Sequence, residues 1–150
     1  MMNSEQEKAR LLHLHNIALQ AHFEKDSRAF LAAYASQWYD VRVTGIRLRT
    51  KEEALPAIEQ YFRRTHVHDI SEITAPIIHL STDASMAWVI GEMRVRASQV
   101  TTDGKEQDFP FRCAWVSIYE KREGEWAQVV DASSFQFQAN DEDSRKGVNS

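Results

Sequence analysis

The chain has 150 residues, 43% of them hydrophobic and 27% charged, with a formal net charge of −4. These values are typical of one globular domain that can bury a core of its own. The negative charge argues against nucleic acid as a partner, because phosphate binding requires a basic face. No apolar run approaches the roughly 18 residues of a membrane helix, so no membrane partner is expected.

Cysteine usage and the N-terminus indicate the compartment. Cys113 is the one cysteine in the sequence, which excludes an internal disulfide and a metal site built from several cysteines. After two methionines the N-terminus continues with polar and charged residues, and it lacks the apolar core of a signal peptide. We therefore predict a cytoplasmic protein.

The N-terminal part is predicted to hold two helices. Apolar residues recur at helical spacing over 4–23, which predicts the first helix. Asp26 or Ser27 can cap a second helix with a side-chain oxygen. The apolar stripe that follows extends this second helix to about Trp38.

A short strand or hairpin and a third helix are predicted next. Apolar and polar residues alternate over 41–48, which indicates the strand or hairpin. Thr50 and Glu53 have the spacing of a capping box. This box predicts a third helix through Phe62, which Pro56 should kink or delay.

The middle and the end of the chain set the domain boundary. Residues 66–69 are predicted to form a loop, and 73–80 a strand that Pro76 interrupts. Residues 139–150 are almost all polar, as in a flexible tail. We therefore predict a single domain over 1–138.

Two back-to-back hairpins over 86–137 predict the fold class. Their turns, 102–104 and 122–124, each end in glycine, which suits a three-residue loop with a glycine bulge. Three long strands joined by tight turns form a strongly curved antiparallel sheet. Helices followed by such a sheet predict an α+β cone, with a pocket between the helices and the sheet.

The turns also set which side chains share a sheet face. We expect the more apolar face to be concave and covered by the helices. It is predicted to carry Val89, Gly91, Met93, Val95, Phe111, Cys113, Trp115, Ser117, Tyr119, Val129, Asp131, Ser133 and Phe135. The opposite face is predicted to include Gln128 and a central apolar patch. This patch is a candidate dimer interface and consists of Trp88, Ile90, Val116, Ile118 and Val130.

Several segments of this sequence resemble the nuclear transport factor 2-like superfamily, in particular its SnoaL-like and kinase association-domain-like branch. The resemblance rests on the stretch 83–91, on Asp103-Gly104-Lys105, on 119–126, on Val129-Val130 and on Ser134. It covers roughly residues 8–138. It implies a cone fold and a homodimer, and it leaves the function open, because this superfamily includes isomerases, cyclases, dehydratases and association modules.

The sequence also departs from these relatives. Association domains carry pocket arginines on the last two strands, where this chain has Ser117 and Ser133. Many relatives carry a histidine where this chain has Ala132. The resemblance therefore implies a pocket without those cationic anchors and without one group that could serve in acid–base chemistry.

Asp131 is the candidate catalytic residue, because it is predicted to lie in the middle of the concave face. An apolar wall disfavours the charged form of a carboxylate, which is the condition for a general base. The resemblance adds that SnoaL-like cyclases and steroid isomerases use a pocket carboxylate in this way. The alternative is a structural carboxylate that accepts hydrogen bonds from Ser117, Ser133 or a helix arginine.

The predicted ligand pocket is lined mainly by aromatic residues. It comprises Tyr34, Trp38, Tyr61, Trp115, Ser117, Tyr119 and Ser133. Such a wall would suit a small apolar or aromatic molecule. The alternative is ordinary core packing, since large aromatic side chains dominate cores in any case.

Histidines and the cysteine suggest no metal site and no cofactor. His66, His68 and Asp69 are ligand-type residues, but adjacent loop histidines are usually solvated, and zinc needs three converging ligands. His15 and His22 share one helix face and are expected to be exposed, the alternative being that His22 reaches the mouth of the pocket. Cys113 is expected to be a packed thiol.

Three functions remain open from the sequence. The first is a ligand-binding protein with little or no catalysis. The second is an enzyme of the cyclase, isomerase or dehydratase type with Asp131 as the general base. The third is a homo-oligomerisation module, for which the chain offers no attached partner domain.

Overall fold

The structure, a computed structural model, describes residues 3–137. The tail predicted over 139–150 lies outside the described residues. Within the described part, no helix is both long enough and apolar enough to cross a membrane.

Three helices are defined by side-chain caps at their first residues. Helix α1 (Ser4–Glu24) begins with a reciprocal capping box between Asn3 and Gln6. Helix α2 (Ser27–Leu31) is capped by Asp26, which is one of the two residues predicted as its cap. Helix α3 (Lys51–Arg64) is capped by Thr50, which accepts from the Glu53 amide at 3.1 Å.

The length of α2 and the effect of Pro56 differ from prediction. Helix α2 ends at Leu31 instead of continuing to Trp38, and strand β1 (Tyr34–Arg42) begins three residues later. The backbone carbonyl of Ala33 accepts from the Gln128 amide at 2.7 Å, so pairing with a distant strand overrides the local helical pattern. Helix α3 includes Pro56 and is not delayed by it.

Within residues 3–137, seven strands form one curved sheet. After β1 they are β2 (Gly45–Thr50), β3 (Thr65–Leu80), β4 (Met86–Val100), β5 (Glu106–Asp108), β6 (Phe111–Arg122) and β7 (Glu125–Phe137). The strand order is β2-β1-β7-β6-β4-β3, and β5 pairs with β4. Strands β1 and β7 run parallel and all other neighbours antiparallel, so the sheet is mixed and not purely antiparallel.

The predicted loop over 66–69 is wrong, because these residues belong to β3. They pair with β4, and Thr65 and Val67 are buried while His66 and His68 are exposed. The alternation typical of a strand is therefore present there. Pro76 is tolerated in β3 because this strand is at the sheet edge and its register shifts between Thr74 and Ile77.

One of the two predicted turns is confirmed and the other is shorter. Gly104 has φ +82° in a three-residue loop closed by Thr101 and Lys105. The second turn has only two loop residues, Glu123 and Gly124, both with positive φ.

A shift in the β6–β7 register then turns one side chain to the other face. Ile118 pairs with Val130 but Tyr119 pairs with Gln128, so Val129 is the extra residue of a bulge. Gln128 therefore lies on the concave side, where it is buried and donates to Ser117 at 3.1 Å. The predicted placement of Gln128 and Val129 is wrong for this reason.

The helices cover the concave face, as predicted, and the α+β cone fold is confirmed. Leu11 of α1 is fully buried against Val89 and Tyr119 of the sheet. Leu31 and Ala54 form a second cluster with Trp38 of β1. Members of both clusters also line the space that remains between the helices and the sheet.

A buried carboxylate fastens the start of α1 to the β6–β7 hairpin. Glu7 is 1% exposed. Its carboxylate accepts from Lys121 Nζ at 2.8 Å and from Trp126 Nε1 at 2.6 Å, and Arg10 Nη1 lies 3.6 Å away. The lysine also lies over the Trp126 ring at 5.3 Å. The hydrogen bonds of Glu7 thus join residues that are more than 110 positions apart in the chain.

Candidate functional site

A cavity of about 490 Å³ lies between the helices and the concave face of the sheet. Its size is within the range of small-molecule sites, roughly 300–1,000 Å³. All the residues that were predicted to form the pocket do line this cavity, and so does Asp131. The predicted residues are Tyr34, Trp38, Tyr61, Trp115, Ser117, Tyr119 and Ser133.

Asp131 lies in a polar setting and not on a bare apolar wall. Tyr34 Oη donates to Asp131 Oδ2 at 3.0 Å, and Arg42 Nη2 donates to the same oxygen at 3.2 Å. Ser133 Oγ donates to Asp131 Oδ1 at 3.1 Å. Of the partners weighed from sequence, Ser133 is present, and the arginine comes from a strand and not from a helix. These three bonds fix the position of the carboxylate in the cavity wall.

Two arginines and a second carboxylate surround Asp131. Asp40 lies beside it in the parallel β1–β7 register. Arg42 Nη2 lies 2.9 Å from Asp40 Oδ1, and Arg49 Nη1 lies 3.8 Å from Asp40 Oδ2. We call Asp40, Arg42, Arg49 and Asp131 the charged cluster, and all four line the cavity. The last two strands carry Ser117 and Ser133 in place of arginines, and the cations of this pocket come instead from β1 and β2.

Two atoms of the charged cluster are buried without a hydrogen-bond partner. They are Asp40 Oδ1, whose contact with Arg42 lacks hydrogen-bond geometry, and Arg49 Nε. Burial raises the pKa of the Asp40 carboxyl, and the positive charge of Arg42 opposes this rise. The cluster therefore holds one unused acceptor and one unused donor next to the cavity.

Burial keeps the hydroxyls and the thiol of the cavity protonated. It raises the pKa of Tyr34 well above its ordinary value, and the nearby charge of Asp131 adds to this effect. Burial also raises the pKa of Tyr61 to about 12 and that of Cys113 to about 11. Cys113 is a buried free cysteine. A thiol in this state is a poor nucleophile.

The two helix histidines expected to be exposed both line the cavity. His15 is 8% exposed, its Nε2 lies 3.1 Å from Glu72 Oε1, and its ring stacks on Trp115 at 5.5 Å between centroids. His22 lies half-buried near the end of α1. The expectation of exposure is wrong because the face of α1 that these residues share is turned toward the cavity.

Gly91 makes room for the Trp115 ring at the cavity wall. A Cβ at position 91 would lie 2.6 Å from Trp115 Cη2. The two residues face each other across the β4–β6 pair. A larger residue at position 91 would displace the indole, and with it the surface on which His15 stacks.

The opposite face of the sheet carries two apolar rows, each crossing all six strands of the sheet path. The first row is Ile77, Ile90, Val116, Ala132, Val41 and Ile46. The second is His79, Trp88, Ile118, Val130, Tyr39 and Leu48. We call them the convex rows. They contain all five residues of the predicted dimer interface, and Trp88 and Val116 are each 37% exposed.

The described part of the chain contains no cluster of potential metal ligands. No group of three or more His, Cys, Asp or Glu residues within 3–137 is arranged to hold a metal ion. His66 and His68 are neighbours at 4.6 Å between ring centroids, and both are exposed.

Comparison with solved structures identifies the fold. A ketosteroid isomerase-like protein from Erwinia carotovora superposes with a TM-score of 0.67 at 17% identity, covering 89% of this chain and 98% of that one. A nuclear transport factor 2-like protein from Cytophaga hutchinsonii gives 0.63 at 14% identity, covering 89% and 98%. A candidate calcium/calmodulin-dependent kinase II association domain from Exiguobacterium sibiricum gives 0.65 at 14%, covering 93% and 99%.

Sequence comparison adds nothing to this. No known family description matches the sequence, and no curated protein matches it. At identities of 14–17% the structural similarity shows the fold alone. The predicted resemblance to the nuclear transport factor 2-like superfamily is confirmed at that level.

Proposed function

We propose that this protein, which has the nuclear transport factor 2-like fold, binds a small apolar or aromatic molecule between its helices and its sheet. The observation that carries the proposal is the cavity of about 490 Å³, with aromatic walls and one charged cluster. Ligand sites of this kind combine a mainly apolar lining with a few convergent polar groups.

The charged cluster favours a ligand with a hydrogen-bonding group that is not itself charged. Two carboxylates and two guanidinium groups nearly balance each other, so a further ion would upset that balance. Arg49 Nε and Asp40 Oδ1 are the unused donor and acceptor. A hydroxyl group can satisfy both types of atom, because it donates and accepts.

The cavity proposal is tested by filling the space. Ala18 lines the cavity from α1, and Ala18→Phe should occupy the volume that the ligand needs. With para-phenylphenol as the probe, we expect the wild-type melting temperature to rise with probe concentration and the Ala18→Phe protein to show no rise. Ala57→Phe on the exposed side of α3 is the matched control and should behave like wild type. Equal rises in all three proteins would place the probe elsewhere.

A second candidate function is acid–base catalysis by the charged cluster. Three donors hold the Asp131 carboxylate in place at the cavity wall, where it could act as a base. Burial raises the pKa of Asp40, as suits a proton donor. A pair of carboxylates in different environments is a common arrangement for acid–base work. One structural neighbour is named ketosteroid isomerase-like, which is in keeping with an enzyme of the isomerase, cyclase or dehydratase type.

Asp131→Asn distinguishes the two functions. The amide keeps the shape but weakens the bonds from Arg42 and Tyr34, so we expect the free energy of unfolding to fall by roughly 1–3 kcal/mol. Asp108→Asn, on the exposed strand β5, should change it by less than about 0.5 kcal/mol. If Asp131 is a base, turnover of any substrate should vanish while probe binding persists. If turnover persists in the Asn variant, Asp131 is not the base.

We also propose that two copies of the chain associate through the convex rows. Apart from His79, the rows are apolar or aromatic from β3 to β2, and a symmetric dimer would place the same surface of both copies face to face. A neighbour named as an association domain shares the fold. A dimer with a ligand site in each subunit makes the chain a binding protein and an oligomerisation module at once.

A further inference from the structure

His22 lies at the far side of the cavity from the sheet, among aromatic rings of α2 and α3. Its ring meets Phe30 at 5.1 Å, Phe62 at 5.5 Å and Tyr61 at 6.5 Å between centroids, each edge to face. The imidazole thus lies in a mainly aromatic corner of the cavity, to which Tyr61 also brings a hydroxyl.

The hydrogen-bonding capacity of this imidazole is unused. Neither ring nitrogen of His22 has a hydrogen-bond partner among residues 3–137. Burial lowers the pKa of His22 to about 4, so the ring is neutral near pH 7 and offers one donor and one acceptor. The ring nitrogens of His22 are not among the fully buried atoms that lack a partner, and His22 lines the cavity, so a ligand in the cavity can bond to them.

A row of rings joins His22 to the charged cluster. Phe30 lies next to His22, and the Phe30 and Tyr34 centroids are 6.2 Å apart. The Tyr34 hydroxyl then donates to Asp131. Two successive ring contacts separate the two polar ends of the cavity, and both contacts form its wall.

We infer that His22 is a second ligand-binding residue, and that the ligand is an elongated two-ring aromatic or alicyclic molecule with a neutral oxygen function at each end. One oxygen bonds to the charged cluster and the other to the His22 imidazole. This inference rests on the proposed ligand-binding function. To that function it adds the approximate length of the ligand and the chemistry of the end that bonds to His22.

Two phenols that differ by one hydroxyl test the inference. Isothermal titration should show that para,para′-biphenol binds wild type about 3- to 10-fold more tightly than para-phenylphenol, the value of one neutral hydrogen bond. In His22→Phe, which keeps a flat ring, the two phenols should bind equally. In His22→Gln, which keeps a donor and an acceptor, part of the preference should return. His13→Phe, an exposed histidine on the same helix, should keep the full preference.

The outcomes separate the inference from the function beneath it. If both phenols bind wild type with the same affinity, or if the preference survives in both His22 variants, His22 is not a ligand-binding residue, while the cavity proposal stands. If neither phenol binds the wild-type protein, the cavity proposal fails and the inference fails with it.

Discussion

Replacing Glu7 with alanine is expected to lower the free energy of unfolding by about 3 kcal/mol, toward the lower end for breaking a buried ion pair. The lower end applies because Lys121 is 26% exposed and can turn to water, whereas the Trp126 N–H stays buried without its acceptor. Chemical denaturation measures the change. Glu5→Ala, an exposed acid in the same first turn, should cost less than about 1 kcal/mol.

The contribution of Glu7 should depend on pH. Burial alone would raise the pKa of its carboxyl, but hydrogen bonds from Lys121 and Trp126 outweigh burial and hold the pKa below the ordinary value of 4.5. A lowered pKa in the folded state adds stability above the unfolded pKa, and this stability is lost as the pH falls through the folded pKa. The gap between wild type and Glu7→Gln should therefore be constant near neutral pH and close below pH 4.5. Parallel curves would mean that the Glu7 charge is unpaired.

Val116→Arg is expected to convert the protein from dimers to monomers. Val116 occupies the middle of the first convex row, between Ile90 and Ala132. In a symmetric dimer the substitution places two arginines in the apolar centre, where unpaired charges cannot be hydrated. Light scattering coupled to size exclusion measures the mass, and thermal melts show whether the variant is folded.

An exposed valine outside the convex rows provides the control. Val100 at the end of β4 is 44% exposed, and Val100→Arg should remain a dimer. If Val116→Arg is folded and still dimeric, the contact lies on another surface. If wild type is monomeric across the concentrations measured, the dimer proposal is wrong.

The later hairpins were predictable because their signals are local. A glycine with positive φ and an apolar alternation specify a turn and two faces within about 30 residues. That is enough to place Asp131, Ser133 and Trp115 on the concave side. The Val129 bulge escaped prediction because two differences cancel: the turn is one residue shorter than expected, and the bulge adds one residue back. From Val130 onward the side chains therefore alternate between the two faces as predicted.

The charged cluster was harder to predict because it joins distant parts of the chain. Arg42 alternates with valines on a short strand, a pattern that equally suits a solvated face. Its placement in the cavity depends on the β1–β7 pair, whose partners are 89 positions apart for Arg42 and Asp131. The same holds for His22, whose surroundings come from α2 and α3. The alternation around Arg42 indicated a strand with two different faces, but it did not indicate which of the two would be buried.

The parallel β1–β7 pair has a consequence for the order in which the protein is made. The β1–β2 hairpin pairs with the rest of the sheet only through β7, so it must wait until β7 has left the ribosome. Tyr34 and Asp131, 97 positions apart, therefore meet only after β7 has been made, and such non-local closure slows folding. A nascent chain can form its helices and the β4–β6 hairpin early, but ligand binding at the charged cluster must wait for the complete sheet.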